Sequence, residues 1–263
     1  MKLRLPANNI VRIVLCVSLA IGLGVITAGT RVLLIRAATE PPRINVKKQT
    51  NVPLLISTAV VTSNNPLKPI YNYTLTNLSS KSVRAYTIKS EVLFGEKNAQ
   101  EIGSTLTHLP TMSNLLQSNQ SRHISGGGGS NYSEPVNEII LSVDFVEFAD
   151  GSAWGEDYFK AAERLAGQRA GGKAAISNFR QKLGTAEFRF TSNEIESESL
   201  ELASAVDKSK SSTWKDGYQS GIGIVRNRLN RALNEGGIEE VKKELEKPFD
   251  ASEGRPDKGV KTH

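Results

Sequence analysis

The sequence predicts an α+β protein: an N-terminal transmembrane helix, an antiparallel β-sandwich, then a C-terminal helical region. Three observations carry this. Ile13 to Thr30 is a run of 18 residues without a charge. From Leu54 to Trp154, short segments alternate apolar and polar residues, the period of two that gives a strand one buried face. From Glu156 onward, apolar residues recur at steps of three and four.

The uncharged run follows Lys2, Arg4 and Arg12. As a helix it would measure ~27 Å, close to the hydrocarbon thickness of a bilayer. Its length, and the apolar residues Val32 to Ile35 beyond Arg31, favour an uncleaved signal anchor over residues 1–36. The alternative is a cleaved signal peptide and a secreted product, for which Ser18-Leu19-Ala20 and Thr27-Ala28-Gly29 are usable sites. Basic residues flank both ends, so the positive-inside rule gives no clean orientation. A short basic head retained inside, with the large body outside, is the expectation. Glu40-Pro41-Pro42 ends any helix, and residues 37–52 read as an extended linker.

Residues 53–155 hold the strand signals. Leu54–Thr62 is rich in β-branched residues and stops at Asn64-Asn65-Pro66. Ile70–Leu78 sets Tyr71, Tyr73 and Leu75 on one face. Val83–Phe94 sets Tyr86, Ile88, Val92 and Phe94 inward, with Thr87, Lys89 and Glu91 outward. Weaker segments lie at Ile102–Leu109 and Ser121–Ile124, and Gly126–Gly129 reads as a loop tip without phosphate-loop spacing. The stretch Glu138–Asp157, EIILSVDFVEFADGSAWGED, organises the rest. Leu141, Val143 and Phe145 alternate, then Val146 and Phe148 continue out of phase, which predicts a β-bulge or sheet switch near Phe145. Asp150-Gly151 predicts a two-residue hairpin turn with positive φ at both centres. Short strands of this number and spacing make an immunoglobulin-like sandwich the economical solution, although the Cys–Trp–Cys signature is absent.

The strand followed by Phe148–Gly155, F-A-D-G-S-A-W-G, resembles uncharacterised exported bacterial proteins with an immunoglobulin-like sandwich. The likeness extends through Gln168-Arg169-Ala170-Gly171 and Pro248-Phe249-Asp250. It implies no activity.

In residues 156–249, Glu156–Gly167 and Lys173–Leu183 read as helices interrupted at Gly171-Gly172. Phe188 and Phe190 suggest a short strand, and Ile195–Val206 a helix. The clearest helix is Trp214–Leu233, where Tyr218, Ile222, Val225, Leu229 and Leu233 form one stripe. That stripe is expected to be buried, with Ile176 and Phe179 as one candidate cover. Gly236-Gly237 is a stop signal, and Ile238, Val241 and Leu245 mark a last short helix before Pro248. Residues 250–263 are polar and read as a disordered tail.

Charge narrows the function classes. Residues 1–50 carry 8 of the 33 basic side chains and 1 of the 27 acids, leaving 25 basic and 26 acidic in the remainder. The basic excess belongs to the N-terminal flank, so a nucleic-acid partner is not expected. The single cysteine, Cys16, lies in the apolar run, which excludes an intramolecular disulfide and thiolate zinc.

Candidate chemistry is sparse. Asp144, Glu147, Asp150, Glu156 and Asp157 cluster near the strand–helix junction, where paired carboxylates could hydrolyse a glycoside or bind calcium. Turn, strand-face and helix-terminus roles account for each of them more simply. His108 and His123 lack partners at useful spacing and read as solvated. Arg226, Arg228 and Arg231 form the best basic patch, more simply a solvated helix flank. Asn72, Asn77, Asn119 and Asn131 fit N-x-Ser/Thr, as chance allows in this composition. No nucleophile elbow occurs. The expectation is therefore no catalytic, cofactor-binding or metal residues, and no cofactor. The chain reads as a non-enzymatic, membrane-anchored extracytoplasmic module with a protein partner or structural role. The alternative is a cell-envelope hydrolase using the junction acids.

Overall fold

A computed structural model describes residues 41–63, 65–94, 99–109, 115–127, 132–185 and 189–249. The alternating segments become strands: β1 (Arg43–Val46), β2 (Leu54–Val61), β3 (Tyr71–Asn77), β4 (Val83–Phe94), β5 (Ala99–His108), β6 (Ser121–Gly126), β7 (Val136–Phe148) and β8 (Ala153–Gly155). Three helices follow: α1 (Ala161–Leu183), α2 (Ser192–Ser204) and α3 (Ser212–Glu246).

The strands form two sheets. One has the order β1-β7-β4-β5 with β8 also on β7, and the other the order β2-β3-β6. Leu54, Ile56, Tyr73 and Leu75 of the smaller sheet share a buried core with Tyr86, Ile88, Val92, Ile139, Leu141, Val143, Val146 and Phe148 of the larger one.

The expected immunoglobulin-like antiparallel sandwich is not what the chain builds. The larger sheet is mixed, because β1 runs parallel to β7 with Arg43 opposite Glu138 and Val46 opposite Leu141. β1 lies within residues 37–52, where prolines and lysines mask a strand from pattern reading. The sandwich reading also assumed a solvated outer face. Instead Ala85 and Phe145 on that face pack against Ala161 and Leu165 of α1. Thr87, expected outside, is also buried. The expected transmembrane helix falls on residues 13–30, outside the described residues. Among the described residues, no helix is long and apolar enough to cross a membrane.

β7 carries the phase slip near Phe145. Thr87 pairs with Phe145 and Ile88 with Val143, leaving Asp144 as the extra residue of a bulge. The bulge sends Val143 and Val146 into the inter-sheet core while Phe145 faces α1. The hairpin after β7 differs from expectation. The Gly151 amide donates to the Phe148 carbonyl at 3.0 Å and the Phe148 amide to the Ser152 carbonyl at 2.9 Å. That is a three-residue loop, and of its two expected positive-φ centres only Gly151 has one, at 85°. Asp150 acts through its side chain, accepting from the Ser152 amide at 2.9 Å.

α1 runs unbroken through Gly171-Gly172, where the sequence suggested an interruption. The reason is packing. A Cβ on Gly167 would lie 2.1 Å from the Trp214 carbonyl oxygen, and one on Gly171 2.0 Å from that of Tyr218. Reciprocally, a Cβ on Gly217 or Gly221 would meet the carbonyl oxygens of Arg164 and Gln168 at 2.1 and 2.0 Å. α1 and α3 therefore cross backbone to backbone. Their contacts advance together along both chains, so the helices run in the same sense. Beyond the crossing, Ile222, Val225 and Leu229 of the α3 stripe are buried with Ile176 and Phe179 of α1. Gly236 and Gly237 are non-helical inside α3, and Gly237 takes φ 64°. The chain kinks there and returns along α1, where Arg180 Nε donates to the Leu245 carbonyl at 2.8 Å. The brief strand suggested at Phe188–Phe190 is not formed at Phe190, whose ring meets Phe179 with centroids 6.3 Å apart; residue 188 lies outside the described residues.

Candidate functional site

The junction of sheet and helices begins at the Asp144 bulge. An extra residue in β7 puts the Asp144 carboxylate on the outer face, where it accepts from the Tyr158 amide at 3.1 Å and the Phe159 amide at 3.4 Å. Its carbonyl accepts from the Asp157 amide at 3.4 Å. Gly155 makes the crossing feasible: its φ is 111°, and a Cβ there would lie 2.1 Å from the Asp144 carbonyl oxygen. The segment that leads into α1 is thus hooked onto β7.

Three of the four remaining junction acids are engaged as well. Asp157 accepts from the Ala161 and Ala162 amides and caps α1. Burial raises its carboxyl above the ordinary carboxylate range, Asp144 and Glu163 add to this, and the two amides act against it. Glu147 is buried between Arg84 of β4 and Arg169 of α1, with the Arg169 contact at 2.8 Å. Burial would raise the Asp150 carboxyl. Hydrogen bonds from Lys81 and Ser152, together with the Lys81 charge, outweigh that and hold it well below its usual range. Glu156 is exposed. Among the described residues, no group of three or more His, Cys, Asp or Glu is arranged to hold a metal ion.

α1 covers only part of the outer face of the larger sheet. Where the cover stops, a cleft of about 430 Å³ opens. One wall is Lys47, Lys48, Gln49 and Thr50, and the other Trp154, Gly155, Glu156 and Tyr158, with Lys89, Ser142 and Asp144 on the floor. Gln49 fixes the first wall by extending the β1–β7 ladder with its side chain. Its Nε2 donates to the Val143 carbonyl at 2.8 Å, and its Oε1 accepts from the Val143 amide at 2.9 Å. Lys89 pairs with Glu91 at 2.8 Å and lies 5.3 Å from the Tyr158 ring centroid. The hydrogen bond between them raises the Lys89 pKa and lowers that of Glu91.

The other sequence candidates lie elsewhere. His123 is exposed on β6 and sits 3.1 Å from the Thr74 hydroxyl. His108 is half-buried and lines a second cavity, about 540 Å³, between β5 and the α1–α3 pair. Arg226 pairs with Glu196 at 2.8 Å and Arg228 with Glu244 at 2.5 Å. Asn77 is fully buried and donates to the Lys81 and Leu116 carbonyls, which removes it as a glycan acceptor. Sequence reasoning missed the cleft residues Lys47, Gln49, Lys89 and Tyr158. The one signal was Tyr158 itself, an aromatic among the polar residues just after the strand signals.

No family model matches the chain, and no curated protein matches it. Among solved structures it is similar to a hypothetical protein from Peptoclostridium difficile 630, determined by X-ray at 1.85 Å. The identity is 13%, the match covers 43% of this chain and 90% of that one, and the TM-score is 0.27.

Proposed function

We propose that the protein is a non-enzymatic interaction or structural module, held at a membrane from its N-terminal side and facing the extracytoplasmic space. The observation that carries the first part is the engagement of four of the five junction acids. Asp144, Glu147, Asp150 and Asp157 each hold a structural partner through their carboxylates. A general acid or base needs a carboxyl free to exchange a proton with substrate. The cleft beside them, with its exposed aromatic, is the surface best suited to a partner. The membrane and extracytoplasmic parts rest on the sequence: the uncharged run Ile13–Thr30, and basic residues concentrated around it.

The test is a photo-crosslinking residue at Tyr158, expressed in the full chain in intact cells, followed by fractionation. The expected result is a membrane-associated protein with a discrete adduct. Recovery in the soluble fraction without an adduct would overturn the proposal. So would turnover of an envelope polymer that disappears in Asp144→Asn.

A further inference from the structure

Tyr158 is the unusual residue of the cleft. It is 63% exposed, yet its position is fixed on three sides. The Asp144 carboxylate holds its backbone amide. The Phe159 ring meets its ring edge-on, with centroids 5.0 Å apart and planes at 81°. The Lys89 ammonium approaches it at 5.3 Å from the centroid. A solvent-facing aromatic ordinarily loses exposed area by folding onto neighbouring apolar surface. Here a hydrogen bond from its amide to β7, and ring contacts from Lys89 of β4 and from its chain neighbour Phe159, hold the residue out over a cleft.

The lining narrows what would rest on it. The cleft's volume falls within the range of small-molecule sites, ~300–1,000 Å³. Such sites are ordinarily apolar, whereas this one presents ammonium, carboxylate, amide and hydroxyl groups. A lipid tail or apolar cofactor would strand those groups without partners. An anion is also a poor fit. Lys47, Lys48 and Lys89 are opposed by Asp144 and Glu156 on the lining, and Glu91 neutralises Lys89 directly. Both signs of charge around an aromatic platform suit an uncharged ligand with many hydroxyls and one apolar face. A hydroxyl donates to a carboxylate and accepts from an ammonium equally well. The C–H face of a pyranose ring lies flat on an aromatic ring.

We infer that the junction cleft binds a neutral pyranose oligosaccharide, with Tyr158 as the stacking platform and Asp144 as the residue that positions it. This deepens the reading of the cleft as an interaction site and rests on it.

The experiment is calorimetric titration of the full chain in detergent with cellohexaose, chitohexaose and maltohexaose. Saturable binding of at least one is expected. Tyr158→Ala should weaken it by about tenfold or more, and Tyr158→Phe should retain it. Raising salt from ~50 mM to ~500 mM should change affinity little, because no net charge is neutralised. Tyr158→Ala should fold normally, which its denaturant midpoint checks. The inference is overturned if none of the three sugars binds. It also falls if Tyr158→Ala binds like the parent, or if an oligogalacturonate binds far more tightly with steep salt dependence. A protein adduct at Tyr158 without sugar binding would sink this inference and leave the interaction-module reading standing. Hydrolysis of a bound sugar would do the reverse.

Discussion

The two halves of the molecule reach close packing by opposite means. Between the sheets, space is filled: Leu54, Leu75, Tyr86, Ile139 and Leu141 are fully buried large side chains. Between α1 and α3, space is removed: Gly167, Gly171, Gly217 and Gly221 let two backbones touch. The first core gains by burying apolar area, the second by dispersion and close approach between helices. The lesson is that a glycine inside a helix has no fixed meaning. At a crossing it is the contact, and on a solvated face it is only a loss of propensity.

The largest effects should come where both halves depend on bulk. Leu141→Ala between the sheets and Leu229→Ala beyond the helix crossing should each cost ~2–5 kcal/mol, measured by urea denaturation. A near-silent Leu229→Ala would show the stripe is a docking face after all. The next test separates the halves. Gly171→Ala should destabilise by ~1–3 kcal/mol because its methyl group meets the Tyr218 carbonyl. Gly223→Ala, on the same crossing pair of helices but with nothing within 4 Å of a new Cβ, should stabilise by ~0.5–1 kcal/mol. Equal signs for the two variants would break the comparison.

Gly151 sharpens it from the side of the sheet. A Cβ there meets nothing within 4 Å, so only its φ of 85° is at stake. Gly151→Val should cost ~1–2 kcal/mol, the penalty of a left-handed conformation, read as a shift in thermal midpoint. The smallest effect concerns the α3 return. Burial raises the Glu244 carboxyl, but hydrogen bonds from Lys247 and Arg228 outweigh it and leave the pKa below its ordinary 4.5. A carboxyl depressed in the folded state adds stability above its unfolded pKa and loses it as pH falls through the folded value. Stability should therefore drop on acidification below about pH 4.5, and Glu244→Gln should flatten that drop by under ~1 kcal/mol. Parallel pH curves would assign the acid sensitivity elsewhere.

Much of the sheet half was legible because alternation is a direct record of burial. The bounds of β4 and the slip at Phe145 follow from it. What alternation does not record is a second cover. Thr87 reads as outward on β4, yet it is buried, and on the same sheet α1 covers Ala85 and Phe145. The parallel partner β1 is four residues long, too short to establish a period. In the helical half the α3 stripe and its stop at Gly236-Gly237 were visible, since both are marked by residue type. The α1–α3 crossing was not, because its signature is missing side chains, read locally as a break. The cleft was illegible for a further reason. Lys47, Lys89 and Tyr158 are far apart in sequence, and the fold alone brings them together.

The bulge at Asp144 has a consequence for cooperativity. On one side of it Val143 belongs to the inter-sheet core, and one residue past it Phe145 belongs to the sheet–helix core. A strand that is a member of both cannot leave one and stay in the other. The two cores are thus coupled through a single stretch of backbone, so a displacement of β7 disturbs both. The amides of Val143 to Val146 should be among the last to exchange with deuterated solvent. The inter-sheet core and the first turns of α1 that pack on Phe145 should be lost in one transition.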